Sequence, residues 1–239
     1  MKKLLFVLLL IISGQVLPAQ PTAMKDTSWK KEYRETASRI NDLVHTKLDA
    51  KFDYDHSYLN GKVWITLKPH FYSTDSLTLD AKGMDIHKVA LTNGATMKEL
   101  KYTYDGWLLR INLGKKYKGG EAYTVFIEYT AKPNEVEVKG SAAINDAKGL
   151  YFINPKGEEK DKPTQVWTQG ETEATSVWCP TIDKPNQKTT DEIYMTVPAK
   201  YVTLSNGRLV NQKKNADGTR TDYWKMDLPH APYLFFMGV

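Results

Sequence analysis

From about residue 44 onward this chain is written in period two. In KVWITLKP, Val63, Ile65 and Leu67 alternate with polar or differently facing neighbours. In WLLRINL, Leu109, Ile111 and Leu113 do the same, and in AYTVFIEYT the set is Val125, Ile127 and Tyr129. Successive side chains of a strand point to opposite faces, so each pattern puts one face on a core and the other toward water. The pairs Asn60-Gly61, Asn93-Gly94, Asp105-Gly106, Asn206-Gly207 and Asp217-Gly218 fall at or near the ends of such runs. They tolerate the positive φ angles of tight hairpins. KYTYDGWLLRI is the clearest hairpin, two alternating runs joined at Asp105-Gly106. No convincing amphipathic helix interrupts the strands. SWKKEYRETASRINDL, from Ser28, reads equally as a helical turn or an irregular lead-in. The expectation is an all-β chain, an antiparallel saddle-like or sandwich sheet assembly.

The 239 residues, 41% hydrophobic and 26% charged, suit one large β domain or two small ones. No repeat or low-complexity linker divides them, and KGEEKDK at 156–162 reads as a solvated loop. The net charge of +5 comes from scattered lysines rather than a basic face, so no nucleic-acid partner is expected. At the N-terminus Lys2 and Lys3 precede an apolar run at 4–12, and Ala19 is a small residue suited to cleavage. That run is too short to span a bilayer core of about 30 Å, so 1–20 reads as a secretory signal peptide with no stable membrane span. A secreted or periplasmic protein is implied. Residues 21–43 then form a lead-in and 44–239 the β domain. Cys179 is the only cysteine, so an internal disulfide is excluded. Set between Trp178 and Pro180 and beside no histidine, it suits buried packing better than nucleophilic work.

The strong chemical motifs are absent. There is no H-E-x-x-H, none of the five histidines has a second four residues away, and no phosphate-cradling glycine loop or G-x-S-x-G elbow appears. No catalytic or metal-ligating residue is therefore assigned to this chain. One stretch breaks the alternation, WTQGETEATSVWCPTIDKP at 167–185. Here Gln169, Gly170 and Glu171 sit where a strand gives way to a loop. Gly170 lets the backbone turn or approach a ligand closely. Glu171 and Gln169 are acceptors that suit an ammonium group. Solvated loop polars are the plainer alternative.

The same stretch resembles a segment of the aminopeptidase N family of zinc metallopeptidases. That segment reads T-Q-x-E, then an aromatic-Pro stretch, then an F-D-E-P-like turn. This chain has Thr168-Gln169-Gly170-Glu171 and Ile182-Asp183-Lys184-Pro185. The likeness continues through DEIYMTVP at 191–198 and TLSNGRLV at 203–210, and ends in Tyr233-Leu234-Phe235-Phe236-Met237-Gly238, similar to Y-L-x-A-F-x-x-G. It covers the last ninety or so residues well, and the earlier sheet region only in pattern. The resemblance implies a saddle-shaped β domain followed by a thermolysin-like domain carrying the H-E-x-x-H zinc site and a G-x-M-E-N motif. It implies that Gln169 and Glu171 help hold the free α-amino group of a peptide substrate. The zinc and the catalytic domain, itself a partner of this one, would lie beyond Val239. Lys184 replaces a common acidic residue, a change expected to matter little.

The apolar run 233–239 at the C-terminus agrees with a chain that continues. The expectation is thus the substrate-anchoring domain of a secreted or periplasmic zinc aminopeptidase, inactive on its own. The alternatives are a non-catalytic binding or assembly module of the same fold, and an extracellular carbohydrate-binding or adhesion sandwich.

Overall fold

In the computed structural model residues 35–137 and 146–239 are described, and from Ala37 onward they belong to one compact unit. The expected signal peptide, and the lead-in before residue 35, lie outside them.

The alternation is realised as strands: β1 Asn41–Asp53, β2 Tyr58–Pro69, β3 Thr74–Asp80, β4 Met84–Asn93, β5 Thr96–Glu99, β6 Tyr102–Tyr104, β7 Leu108–Tyr117 and β8 Tyr123–Ala131. There follow β9 Leu150–Ile153, β10 Gln165–Thr168, β11 Thr189–Pro198, β12 Leu204–Ser205, β13 Arg208–Lys214, β14 Thr219–His230 and β15 Met237–Gly238. Among the described residues helical structure is confined to short 3₁₀ turns. The strands form an eight-stranded sheet in the order β13-β14-β11-β1-β2-β8-β4-β5, a four-stranded sheet β12-β15-β10-β9 and a three-stranded sheet β3-β7-β6. Among the described residues every pairing is antiparallel except β1 with β11, which run parallel from His45 opposite Thr190 to Lys51 opposite Thr196. β1 begins at Asn41, three residues inside the expected lead-in, because Asn41 is buried and its Oδ1 accepts the Tyr123 hydroxyl at 2.7 Å.

One core serves all three sheets. Val63, Ile65, Leu67, Val125, Ile127 and Tyr129 of the large sheet join Leu109, Ile111 and Leu113 of the three-stranded sheet and Leu150, Val166 and Met237 of the four-stranded one. These include every residue singled out by the alternation, although β8 also buries Phe126 on its other face, at 4% exposure. Trp178 and Cys179 fill the same core at 0% exposure, and burial pushes the Cys179 thiol up to about 12, as a packing residue requires. No helix among the described residues is long and apolar enough to cross a membrane.

Four of the five Gly-containing turn pairs lie in turns: Gly94, Gly106, Gly207 and Gly218 all take positive φ. Asn60-Gly61 does not. It lies inside β2, paired with Thr130 and Tyr129 of β8. A Cβ on Gly61 would stand 2.3 Å from Tyr129 Cζ, so the glycine makes room for a ring that crosses the strand. The Tyr129 hydroxyl then reaches the Trp178 carbonyl at 2.8 Å. The 156–162 loop is largely exposed, as its charge requires, and the Asn154 amide ties it down by donating to the Glu159 and Lys162 carbonyls at 2.9 and 2.6 Å.

Candidate functional site

β10 stops at Thr168, whose hydroxyl oxygen accepts the Met237 amide of β15 at 2.9 Å. The chain then turns through 169–175. The Gln169 amide donates to the Gly149 carbonyl at 2.9 Å and the Ala174 amide to the Gly170 carbonyl at 2.8 Å. A Cβ on Gly170 would lie 2.2 Å from the Tyr233 carbonyl oxygen and 2.6 Å from Thr175 Oγ1. The close approach read from the sequence is therefore made by the chain's own backbone. Thr175 Oγ1 also donates to the Pro232 carbonyl at 2.9 Å, which clamps this loop to the 3₁₀ turn Pro232–Leu234.

The second half of the stretch supports the first. Asp183 is 1% exposed; its Oδ2 accepts the Ser176 amide at 2.8 Å, and its own amide donates to Asp80 Oδ2 at 2.9 Å. Burial lifts the Asp183 carboxyl to about 6, against the pull of the Ser176 donors. Lys184 forms an ion pair with Glu173, and the Lys82 ammonium donates to the Glu173 carbonyl. The replacement of an acidic residue by Lys184 thus adds a tie inside the loop that carries Glu171.

Glu171 is exposed, and its side chain makes no ion pair or hydrogen bond among the described residues. With Thr172, Pro185 and Tyr233 it lines an open recess of about 270 Å³. The Glu171–Thr172 peptide is cis. Gln169, two residues before, is half-buried, and its Oε1 is buried without a hydrogen-bond partner. Gln169 does not line the recess. Three blocks quoted from the sequence therefore meet in space: T-Q-G-E at 168–171, the turn ending in Pro185, and the segment beginning at Tyr233. Sequence reasoning missed Tyr233 as a wall, although it stood in a quoted block. It also missed Asp80, which lies 103 residues from its partner and carries no local signal.

The recess carries one carboxylate acceptor together with Thr172 and Tyr233, whose hydroxyls can donate as well as accept. The uncommitted Glu171 carboxylate suits a cation that donates hydrogen bonds, while the unpartnered Gln169 Oε1 is buried outside the recess. Among the described residues no cluster of three or more His, Cys, Asp or Glu side chains is placed to hold a metal ion.

A family model described as the peptidase M1 N-terminal domain matches residues 41–234. Among solved structures the chain is similar to the M1 zinc metallopeptidase from Deinococcus radiodurans, with TM-score 0.71 and 18% identity over 85% of this chain and 42% of that one. A mutant of that enzyme bound to a Tyr-Ser-Ala substrate gives TM-score 0.70 and 18% identity over 86% of this chain and 44% of its own. Native yeast LTA4 hydrolase gives TM-score 0.64 and 17% identity over 90% of this chain and 32% of that one. The chain thus spans less than half the length of each. No curated protein sequence matches.

Proposed function

Because this chain belongs to the peptidase M1 family through its N-terminal domain, we propose that it anchors the substrate of a zinc-dependent aminopeptidase, whose catalytic domain follows Val239. The observation that carries this reading is the Glu171 carboxylate, exposed, unpaired and set at a recess assembled from three separate parts of the chain. Its ligand is the free α-ammonium of a peptide; the Gln169 oxygen, buried outside the recess, becomes the second acceptor once its side chain turns toward that ligand. Holding that ammonium selects unblocked peptides and sets the first peptide bond at a fixed distance from the catalytic apparatus, so binding serves positioning. When bound in the downstream domain, zinc supplies Lewis-acid polarisation of the peptide carbonyl and an activated water.

A second feature supports a covering domain. Leu204, Gly238, Trp167 and Tyr151 lie in register across β12, β15, β10 and β9. Cross-strand partners share a face, so Leu204, 56% exposed, Trp167, 36% exposed, and Tyr151 stacked on Trp167 at 4.4 Å form one apolar row. Phe236 lies over Gly238 in the middle of it. The downstream domain would cover this row.

The basic, apolar and small residues of 1–20 support export to the periplasm or beyond, and an N-terminus near Pro21 in exported protein is the result that agrees with it. The alternative, a non-catalytic module of the same fold, differs only in whether the full-length protein hydrolyses aminoacyl substrates. An assay with Glu171→Ala in that protein tests the anchoring role.

A further inference from the structure

The loop between β2 and β3 holds Phe71 at 76% and Tyr72 at 88% exposure. Ile40, 64% exposed, stands beside it, because its carbonyl accepts the His70 amide at 2.9 Å. Single exposed apolar residues are ordinary, but three large ones gathered on one tip are not. Nor is the tip slack. His70 Nδ1 bonds Asp42 Oδ2 at 2.8 Å, and the His70 ring meets Phe71 edge-on at 4.1 Å. The turn between β7 and β8 presses on its base: Gly120 donates to the Pro69 carbonyl at 3.0 Å, and a Cβ on Gly119 would lie 2.5 Å from the Phe71 carbonyl oxygen.

The end of β7 brings Lys115 and Lys116, and that second turn Lys118, all exposed, to the tip, and β2 brings Lys68. Lys115 pairs with Glu121 at 3.1 Å, and Arg39 with Asp42 at 2.7 Å. Lys68, Lys116 and Lys118 have no carboxylate partner among the described residues. The acids of the tip, Asp42, Asp75 and Glu121, are outnumbered by its cations.

We propose that this tip binds an anionic lipid surface, with Ile40, Phe71 and Tyr72 entering the headgroup region while Lys68, Lys116 and Lys118 engage lipid phosphates. Protein interfaces deplete lysine at their cores, whereas an aromatic and aliphatic tip ringed by lysine is the pattern of a membrane–water interface. Each basic residue near such a surface contributes roughly fivefold in affinity, so the tip and its collar together make a reversible contact that neither makes alone. The inference is independent of the peptidase reading, since it uses none of the recess residues.

The lone thiol makes the test specific. Cys179 is fully buried, so Ser73→Cys in the full chain places the one accessible thiol beside Tyr72. An environment-sensitive fluorophore there should brighten and shift to the blue with phosphatidylglycerol vesicles and stay unchanged with pure phosphatidylcholine. Lys116→Glu with Lys118→Glu should weaken vesicle binding about tenfold or more. Phe71→Ser with Tyr72→Ser should remove the binding without lowering the melting temperature. A fluorophore that stays in water while the protein sediments with vesicles would overturn the proposal, because another segment such as 4–12 would then be the one that binds. Equal binding after charge reversal would overturn it too. So would blue-shifted emission before lipid is added, which would mean that another part of the protein already covers the tip.

Discussion

His230 Nε2 lies 3.3 Å from Asp191 Oδ2, and Asp191 is fully buried. The register explains the meeting. Thr189 faces His230 while Asp191 faces Met226, so the three β14 residues between bulge outward and His230 turns in. Neither Asp191 oxygen nor His230 Nε2 has a hydrogen-bond partner, and the charge that acts on Asp191 is that of Glu192. Burial, with the Glu192 charge, lifts the Asp191 carboxyl to about 7; burial lowers His230, against its contact with the Leu228 carbonyl.

The pair makes stability depend on pH. In the unfolded chain Asp191 loses its proton near the ordinary carboxylate value, whereas the folded chain keeps it to about 7. Its contribution is therefore full below about pH 4 and lost as pH rises toward 7. His230 acts in the opposite sense, losing stability as pH falls below its ordinary value. Asp191→Asn should stabilise the protein by roughly 2–4 kcal/mol at pH 8 and by little at pH 4. Denaturant melts at the two pH values check it; the same shift at both would mean that the carboxyl does not titrate in this range.

In the full-length protein, Glu171→Ala removes a charge-assisted hydrogen bond of roughly 1.5–3 kcal/mol, or about ten- to more than a hundredfold in kcat/KM. The loss should fall on peptides with a free amine and spare N-acetylated ones. Gln169→Ala should lose less, and melting curves should barely move for Glu171→Ala, whose side chain is exposed. Unchanged kcat/KM for free-amine peptides would leave 167–171 as only a loop.

The chain by itself should retain no stoichiometric zinc after dialysis and should not turn over aminoacyl anilides. Metal analysis and a chelator-controlled assay are the measurements. Turnover that a chelator abolishes would reveal ligands outside the described residues.

Gly61→Ala should destabilise the protein by about 1–3 kcal/mol, because the new methyl meets the Tyr129 ring in a full core. Tyr129→Phe should cost about 1 kcal/mol for the lost bond to the Trp178 carbonyl. Combined with Tyr129→Leu, the Gly61→Ala cost should shrink, and strictly additive losses would contradict the steric account.

Much of this fold is legible in the sequence, since a strand with one dry face must alternate, and Val63 to Leu67 or Leu109 to Leu113 do so without help from distant residues. Asp105-Gly106 marks its hairpin for the same local reason. Asn60-Gly61 misleads because glycine answers two different needs, a positive φ and space for a neighbour, and only the position of Tyr129 tells them apart. The recess was half legible: Glu171 and Pro185 stand in one unusual stretch, but Tyr233 arrives from sixty residues on, and the buried bond from Asp183 to Asp80 has no trace in local pattern. The Asp191–His230 contact depends on a bulge over 227–229 that Pro229 announces, since a proline cannot donate to the ladder, but nothing local says that His230 then turns toward Asp191.

The parallel pairing of β1 with β11 has a consequence for how the protein is made. β1 lies inside the large sheet, yet its partner on one side is synthesised about 145 residues later, as the contact of His45 with Thr190 shows. Until then any β1–β2 hairpin that has formed has one long backbone edge open to another strand. Completion of the sheet is a late, slow event set by long-range closure. Chains in which that closure is slowed should therefore pair with one another through this edge, and aggregate, before the sheet is complete.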